Sequence, residues 1–318
     1  MAARETSRDG VRNVRFLTPR RGGAGIKSQN RASENLAGYL FTTPVILGLA
    51  VFTLGPALYA FYLSFYSWTL LNTMHFVGWT NFVQVLTLPL FWIAVRNTLA
   101  FALIVVPTQT AIALGLAAIL NRQLPARGFF RLAFFFPAIS SSAVISIIFL
   151  WIYNKFGILN SFLGNFGISG PDWLGNPKFA LSAIMIMNIW TTSGYFMVVF
   201  LAGLQSIPQS LYEAAAIDGA STWQSFRRLT IPLLRPTTFF IVIMGIIGTL
   251  QMFDQSFIMS QGTGGPLHST TTIVLLVYQF IFQYGKVGYG AVVTVLLFVF
   301  TLLTTLLANR WIGKPVDY

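Results

Sequence analysis

Gln205 to Pro236 reads QSIPQSLYEAAAIDGASTWQSFRRLTIPLLRP, a stretch in which helix start and stop signals are dense. Ser206 is placed to cap a helix, and Pro208 falls in a first turn, where a missing amide donor costs little. Tyr212 to Ile217 are mostly good helix formers, and Gly219 supplies a stop. A second helix is expected from Ser221, as its N-cap, to Leu229, with Phe226 and Leu229 at i,i+3 and Trp223 beside them; Pro232 and Pro236 follow. Two short helices at an angle result. Isolated helices below about 12 residues are marginal in water, so this loop is expected to dock onto a partner protein.

On either side of the loop the sequence turns apolar. Of 318 residues, 55% are hydrophobic and 9% charged, against roughly a quarter charged in an ordinary soluble domain. That composition excludes a soluble globular chain. Apolar runs of the ~20 residues needed to cross a bilayer core are expected at Leu36 to Tyr66, Thr98 to Leu120, Leu132 to Tyr153, Phe179 to Leu204, Thr237 to Met259 and Gly290 to Asn309. The fold class is therefore an all-α membrane protein with six transmembrane helices. A further stretch, Ile273 to Tyr284, is too short to cross and reads as interfacial or re-entrant. Pro44, Gly48, Gly55 and Pro56 are expected to kink or loosen the first span.

The net charge of +12 is distributed by topology rather than gathered for nucleic acid. Eight of the 20 Lys and Arg precede Leu36, in a Gly- and Ser-rich stretch without apolar periodicity, read as a disordered basic tail over residues 1–35. The long apolar run after it does not fit a signal peptide. With both termini on one side, that side also carries Arg122, Arg127, Arg131, Arg227, Arg228, Arg235, Arg310 and Lys314, while the other holds Lys155, Lys178 and Lys286. By the positive-inside rule both ends are cytoplasmic, and so is the loop at 205–236. The domain reading is tail (1–35), first span and outer loop (36–92), core (93–312) and cytoplasmic C-terminus (313–318).

The loop resembles the EAA motif of the binding-protein-dependent ABC importer permeases: Glu-Ala-Ala, a Gly four residues on, and a hydrophobic-Pro ending. Here these are Glu213, Ala214, Ala215, Gly219, Leu229, Ile231 and Pro232. The extended form YEAAAIDGAS, with Asp218 and Ala220, is similar to the carbohydrate-uptake, maltose-type branch. Val77-Gly78-Trp79-Thr80-Asn81-Phe82, Asn97-Thr98 and Thr263-Gly264-Gly265-Pro266 with Thr270 resemble other segments of the same family. The resemblance implies a type I importer permease fold in a bacterial inner or plasma membrane. It also implies a second homologous permease, two cytoplasmic ATPase subunits that bind ATP and Mg, and an extracytoplasmic solute-binding protein. Glu213, Ala214, Ala215, Asp218, Gly219 and Pro232 would couple the chain to the ATPase. No cofactor is expected in this chain.

Substrate-pathway candidates come from polar groups in apolar runs. A carboxylate at the centre of a membrane helix costs roughly 2.5 kcal/mol or more, so Asp254 in the fifth run calls for an explanation. Gln251 lies three residues earlier, which on a continuous helix puts both on one face. The fourth run reads NIWTTSGYFMVVFLAGL and offers Asn188, Trp190, Ser193, Gly194 and Tyr195, a mixture of hydrogen-bonding and aromatic groups suited to a hydroxylated ring. Small residues also let membrane helices approach, and aromatic ones line interfaces.

Other classes fit less well. The sequence has no Gly-x-x-x-x-Gly-Lys-Ser/Thr loop, so ATP is handled elsewhere. A membrane enzyme needs paired catalytic groups at depth, which a single Asp254 does not supply. An ion-coupled carrier titrating Asp254 is a further alternative, and so is import of glycerol 3-phosphate or another phosphorylated polyol, which Asp254 would repel. Cys is absent, His75 and His268 are far apart in sequence, and no metal site is expected. The main reading is a non-enzymatic permease that moves a sugar or sugar-like solute by alternating access.

Overall fold

The computed structural model describes residues 31–69, 73–122 and 124–312. Nearly all of the basic tail and the C-terminal residues 313–318 lie outside the described residues. Two compact units divide at Gly55 and Pro56.

The first unit contains α1 (Arg31–Leu49), which starts before the expected Leu36. It runs into a π turn, Ala50–Leu54, closed by the Gly55 amide donating to the Ala50 carbonyl. The loosening expected from Gly55 and Pro56 takes this form, a widened turn of the kind that accommodates a residue unable to donate.

The second unit begins with α2 (Gly55–Leu63), a small hairpin of β1 (Tyr66–Ser67) and β2 (His75–Phe76), α3 (Thr80–Thr87) and the long α4 (Pro89–Leu120). Then come α5 (Arg127–Ile139), α6 (Ser142–Ile152), α7 (Ile158–Gly164) and α8 (Ala180–Gln205), the last leading into the loop. Residues Gly38–Leu63, Pro89–Leu120, Ala180–Gln205 and Val287–Arg310 are each long and apolar enough to cross a membrane. Two bent pairs complete six if each is one crossing: α5 with α6 at 98°, and Thr222–Leu233 with Arg235–Leu250 at 63°.

Two expected spans are therefore not straight. The third breaks at Ser140 and Ser141, which are extended (ψ 151° and 131°) just after Pro137. The fifth does not run to Met259. Its helix, α12 (Arg235–Leu250), ends at Leu250, and after Gln251–Phe253 a separate α13 (Asp254–Met259) begins. A broken helix at membrane depth frees backbone groups that protein must satisfy. Here the Met252 carbonyl accepts from the Thr272 hydroxyl at 3.1 Å.

Packing follows small residues. Ala113 and Ala117 of α4 meet Phe196, Phe200 and Leu204 of α8 and Ile241 of α12 in one buried cluster. Gly194 lets α8 approach the Phe134 carbonyl of α5 so closely that no Cβ would fit. The short α14 (Ile273–Tyr278), extended by a π turn to Gln283, buries Ile273 and Leu276 against Phe91 of α4 and Val292 of α15 (Val287–Ile312).

At the end opposite the 205–236 loop, the family-like motifs act as staples. Asn81, 2% exposed, donates to the Ser64 and Tyr66 carbonyls at 3.0 and 2.9 Å. Asn97 donates to the carbonyls of His268 and Thr271 at 2.9 and 3.0 Å. The Thr98 hydroxyl receives the Ile273 amide at 3.0 Å.

Candidate functional site

The loop at 205–236 forms two helical pieces, as its local signals require, with two differences. Ser206 does not cap the first helix. It remains in helical conformation at the end of α8, its hydroxyl donating to the Gly203 carbonyl at 2.8 Å, and Pro208 takes the N-cap of α9 (Gln209–Ile217). Gly219, at φ 79°, does end α9: the Ala220 amide reaches back to the Ala215 carbonyl at 2.9 Å and that of Gly219 to Ala216 at 3.1 Å, the reciprocal closure that favours glycine.

Ser221 then starts α10 (Thr222–Ser225) with a complete capping box. Its hydroxyl accepts the Gln224 amide at 3.3 Å, and its own amide donates to Gln224 Oε1 at 2.8 Å. The second difference is that the piece does not stop at Leu229. It passes through a π turn, Phe226–Thr230, into α11 (Ile231–Leu233), the Ile231 amide donating to the Phe226 carbonyl. The widened turn lets Pro232 lie inside without the clash that a regular α turn imposes.

Little of this loop is covered by its own chain. Glu213, Ala214, Asp218 and Gly219 are exposed, Ala215 and Pro232 half-buried. Ile217 is 87% and Trp223 67% exposed. One bond, Tyr212 hydroxyl to Thr230 hydroxyl at 2.9 Å, ties the two pieces together. Beneath them a cavity of about 630 Å³ opens between Tyr212, Trp223, Phe226 and the ends of α4 and α8.

The interior candidates are regrouped. Gln251 and Asp254 are both exposed, and because α12 ends between them they share no helix face. The buried polar group beyond that break is Gln255, whose Oε1 accepts from Asn188 Nδ2 at 2.8 Å. The Thr192 hydroxyl lies 2.5 Å from Gln109 Oε1 and 2.7 Å from the Asn188 carbonyl, extending the chain of polar contacts from α13 through α8 to α4. Asn188 Oδ1 and Ser193 Oγ are buried and have no partner among the described residues.

Trp190 and Tyr195 are not part of that cluster. They are 48% and 44% exposed and turn to other neighbours, Trp190 beside Phe149 and Tyr195 beside Phe196. Gly194 is a packing position against α5. Gln109, Thr192 and Gln255 escaped the sequence reading. The signal for Gln109 was present, a buried-type amide inside a long apolar run. Among the described residues no group of three His, Cys, Asp or Glu comes together.

Comparison with known proteins agrees with this architecture. Residues 31–313 match the family described as binding-protein-dependent transport system inner membrane component. The lactose transport system permease protein of Rhizobium radiobacter is 39% identical over 84% of this chain and 91% of its own length. The trehalose/maltose transport system permease protein of Thermococcus litoralis is 34% identical over 88% of this chain and 95% of its own. A chain of a bacterial alginate ABC transporter, crystallised with an alginate pentasaccharide-bound periplasmic protein, superposes with TM-score 0.75 at 22% identity, covering 87% of this chain and 94% of that one. With a family match along nearly its whole length, a helical fold shared with type I permeases and a loop carrying the EAA signature, the chain belongs to the binding-protein-dependent transport system inner membrane components, the permeases of ABC importers.

Proposed function

We propose that this permease imports a neutral sugar or sugar-like solute, delivered by an extracytoplasmic binding protein, through a path shared with a second, homologous permease. ATP and Mg are bound by two cytoplasmic ATPase subunits, and no cofactor resides in this chain. The observation that carries the solute class is the similarity, over more than four-fifths of this chain, to permeases named for lactose and for trehalose/maltose.

Both termini and the loop at 205–236 face the cytoplasm in this reading. Its support is the basic side chains gathered at one end: Arg122, Arg127 and Arg235 at helix ends, and Arg227 and Arg228 in the π turn between α10 and α11. Docked in an ATPase cleft, α9 presents Glu213 for polar or basic groups, Ala214 for close approach and Ile217 for burial. Gly219 and the capping box fix the angle to the next piece, and Pro232 sits where that piece turns into α12. ATPase closure then pushes on a rigid lever rather than on a flexible loop.

In the membrane, the polar row Gln109, Thr192, Asn188 and Gln255 is the substrate-pathway candidate that replaces a shared Gln251 and Asp254 face. Asn188 Oδ1 and Ser193 Oγ offer unspent hydrogen-bonding capacity to a hydroxylated solute. The break after Leu250 allows α12 and α13 to change their mutual angle during alternating access. Uptake of labelled lactose, maltose and trehalose by proteoliposomes carrying the assembled importer and binding protein tests the reading. ATP-dependent accumulation of at least one is expected. Accumulation that needs no ATPase subunit but follows a proton gradient would contradict it.

A further inference from the structure

Away from the membrane path, the end of the molecule opposite the coupling loop holds a polar pocket of about 400 Å³. Tyr153, Asn154, Lys155, Asp172, Gln261 and Thr270 contribute to its wall. We propose that it is an external vestibule site for a neutral pyranose sugar, filled before the solute enters the membrane path. This rests on the sugar-importer reading above and adds a second place of contact.

Three observations carry it. Thr270 is 2% exposed, yet its hydroxyl has no hydrogen-bond partner, although buried hydroxyls are ordinarily satisfied. Its backbone is fully used, the amide donating to the Gly264 carbonyl at 2.9 Å and the carbonyl accepting from Ser256. The backbone that carries this hydroxyl is therefore fixed. Gly265, also in the wall, packs closely beside it: a Cβ there would stand 2.8 Å from Thr270 Oγ1.

Second, the opposite wall is rigid. Asn160 donates to the Lys155 and Pro171 carbonyls at 3.1 and 3.0 Å and accepts from Trp173 Nε1 at 2.8 Å. The Tyr153 hydroxyl is held by the Ala183 carbonyl at 3.0 Å. Asp172 Oδ1 accepts the Gly175 amide at 2.9 Å. Third, Gln261 is held at φ 53°, a left-handed conformation that non-glycine residues adopt at a cost and that clusters at ligand sites.

The chemistry selects the ligand. Amide, hydroxyl, ammonium and carboxylate groups around an aromatic side chain match a ring that both donates and accepts, and the pocket has the size range of small-molecule sites. Lys155 and Asp172 carry opposite charges, so the wall does not favour a net anion.

The test uses the full chain in lipid nanodiscs and saturation-transfer NMR with lactose, maltose and trehalose as probes. At least one sugar should show transfer to the wild type. Thr270→Val should reduce that affinity at least about fivefold, as loss of one ligand hydrogen bond implies, with an unchanged or higher thermal midpoint because the lost hydroxyl had no partner. Asp172→Asn, which keeps the acceptor for Gly175, should also weaken binding. Wild-type affinity in both Thr270→Val and Asp172→Asn, or no transfer from any of the three sugars, would overturn the vestibule site. ATP-driven uptake of those sugars by the assembled importer separates that failure from failure of the import reading.

Discussion

The two ends of this molecule are held together by different means. At the loop end, each cap is closed within a few residues: Gly219 and Ala220 onto Ala216 and Ala215, and Ser221 with Gln224. The surface so formed is exposed, with Ile217 87% bare and a cavity of about 630 Å³ below. At the far end, the ties are long-range and buried or part-buried. Asn97 reaches His268 and Thr271, Thr98 takes the Ile273 amide, and Gln279 and Gln283 both donate to the Gly262 carbonyl at 2.9 and 3.1 Å. One end is shaped locally and left bare, as a docking element must be. The other is held by bonds between segments far apart in sequence.

If that contrast is right, substitutions should separate by region. The largest effect is expected inside the bundle: Gly194→Val forces a side chain into the Phe134 carbonyl and should cost about 3 kcal/mol or more, seen as loss of monodisperse protein in detergent. Next, Asn97→Leu strands the His268 and Thr271 carbonyls. It should lower stability by about 2 kcal/mol, with faster amide exchange concentrated in residues 262–272. Ser221→Ala removes a cap worth about 1 kcal/mol. Its effect should stay local, with faster exchange at Gln224 and an unchanged global thermal midpoint. A global shift there as large as that of Asn97→Leu would erase the distinction between the two ends.

The same contrast explains what the sequence could disclose. Gly219 and Ser221 were legible because their partners lie within five residues. Six apolar runs were legible by length, and the family motifs gave the fold. The break after Leu250 was hidden because what satisfies Met252 is Thr272, which only the folded chain brings near. Asn188 could be singled out as polar, but its partner Gln255 is 67 residues away and the Thr192 to Gln109 contact spans 83, so no local pattern announces them. Asp254 drew attention as a charge in an apolar run, and chain geometry instead exposes it at the start of α13. The bend between α5 and α6 had a local signal in Pro137, Ser140 and Ser141, outweighed by the continuity of the apolar run around it.

The bare face of α9 is proposed as the seat of an ATPase. It is tested most directly by affinity purification of the permease from its native membrane in mild detergent, comparing wild type with Glu213→Ala/Ile217→Asp. Because both side chains are exposed in the chain alone, the variant should keep the wild-type thermal midpoint and lose the co-purifying ATPase. An ATPase retained in full by the variant, or absent from folded wild-type preparations, would contradict the account.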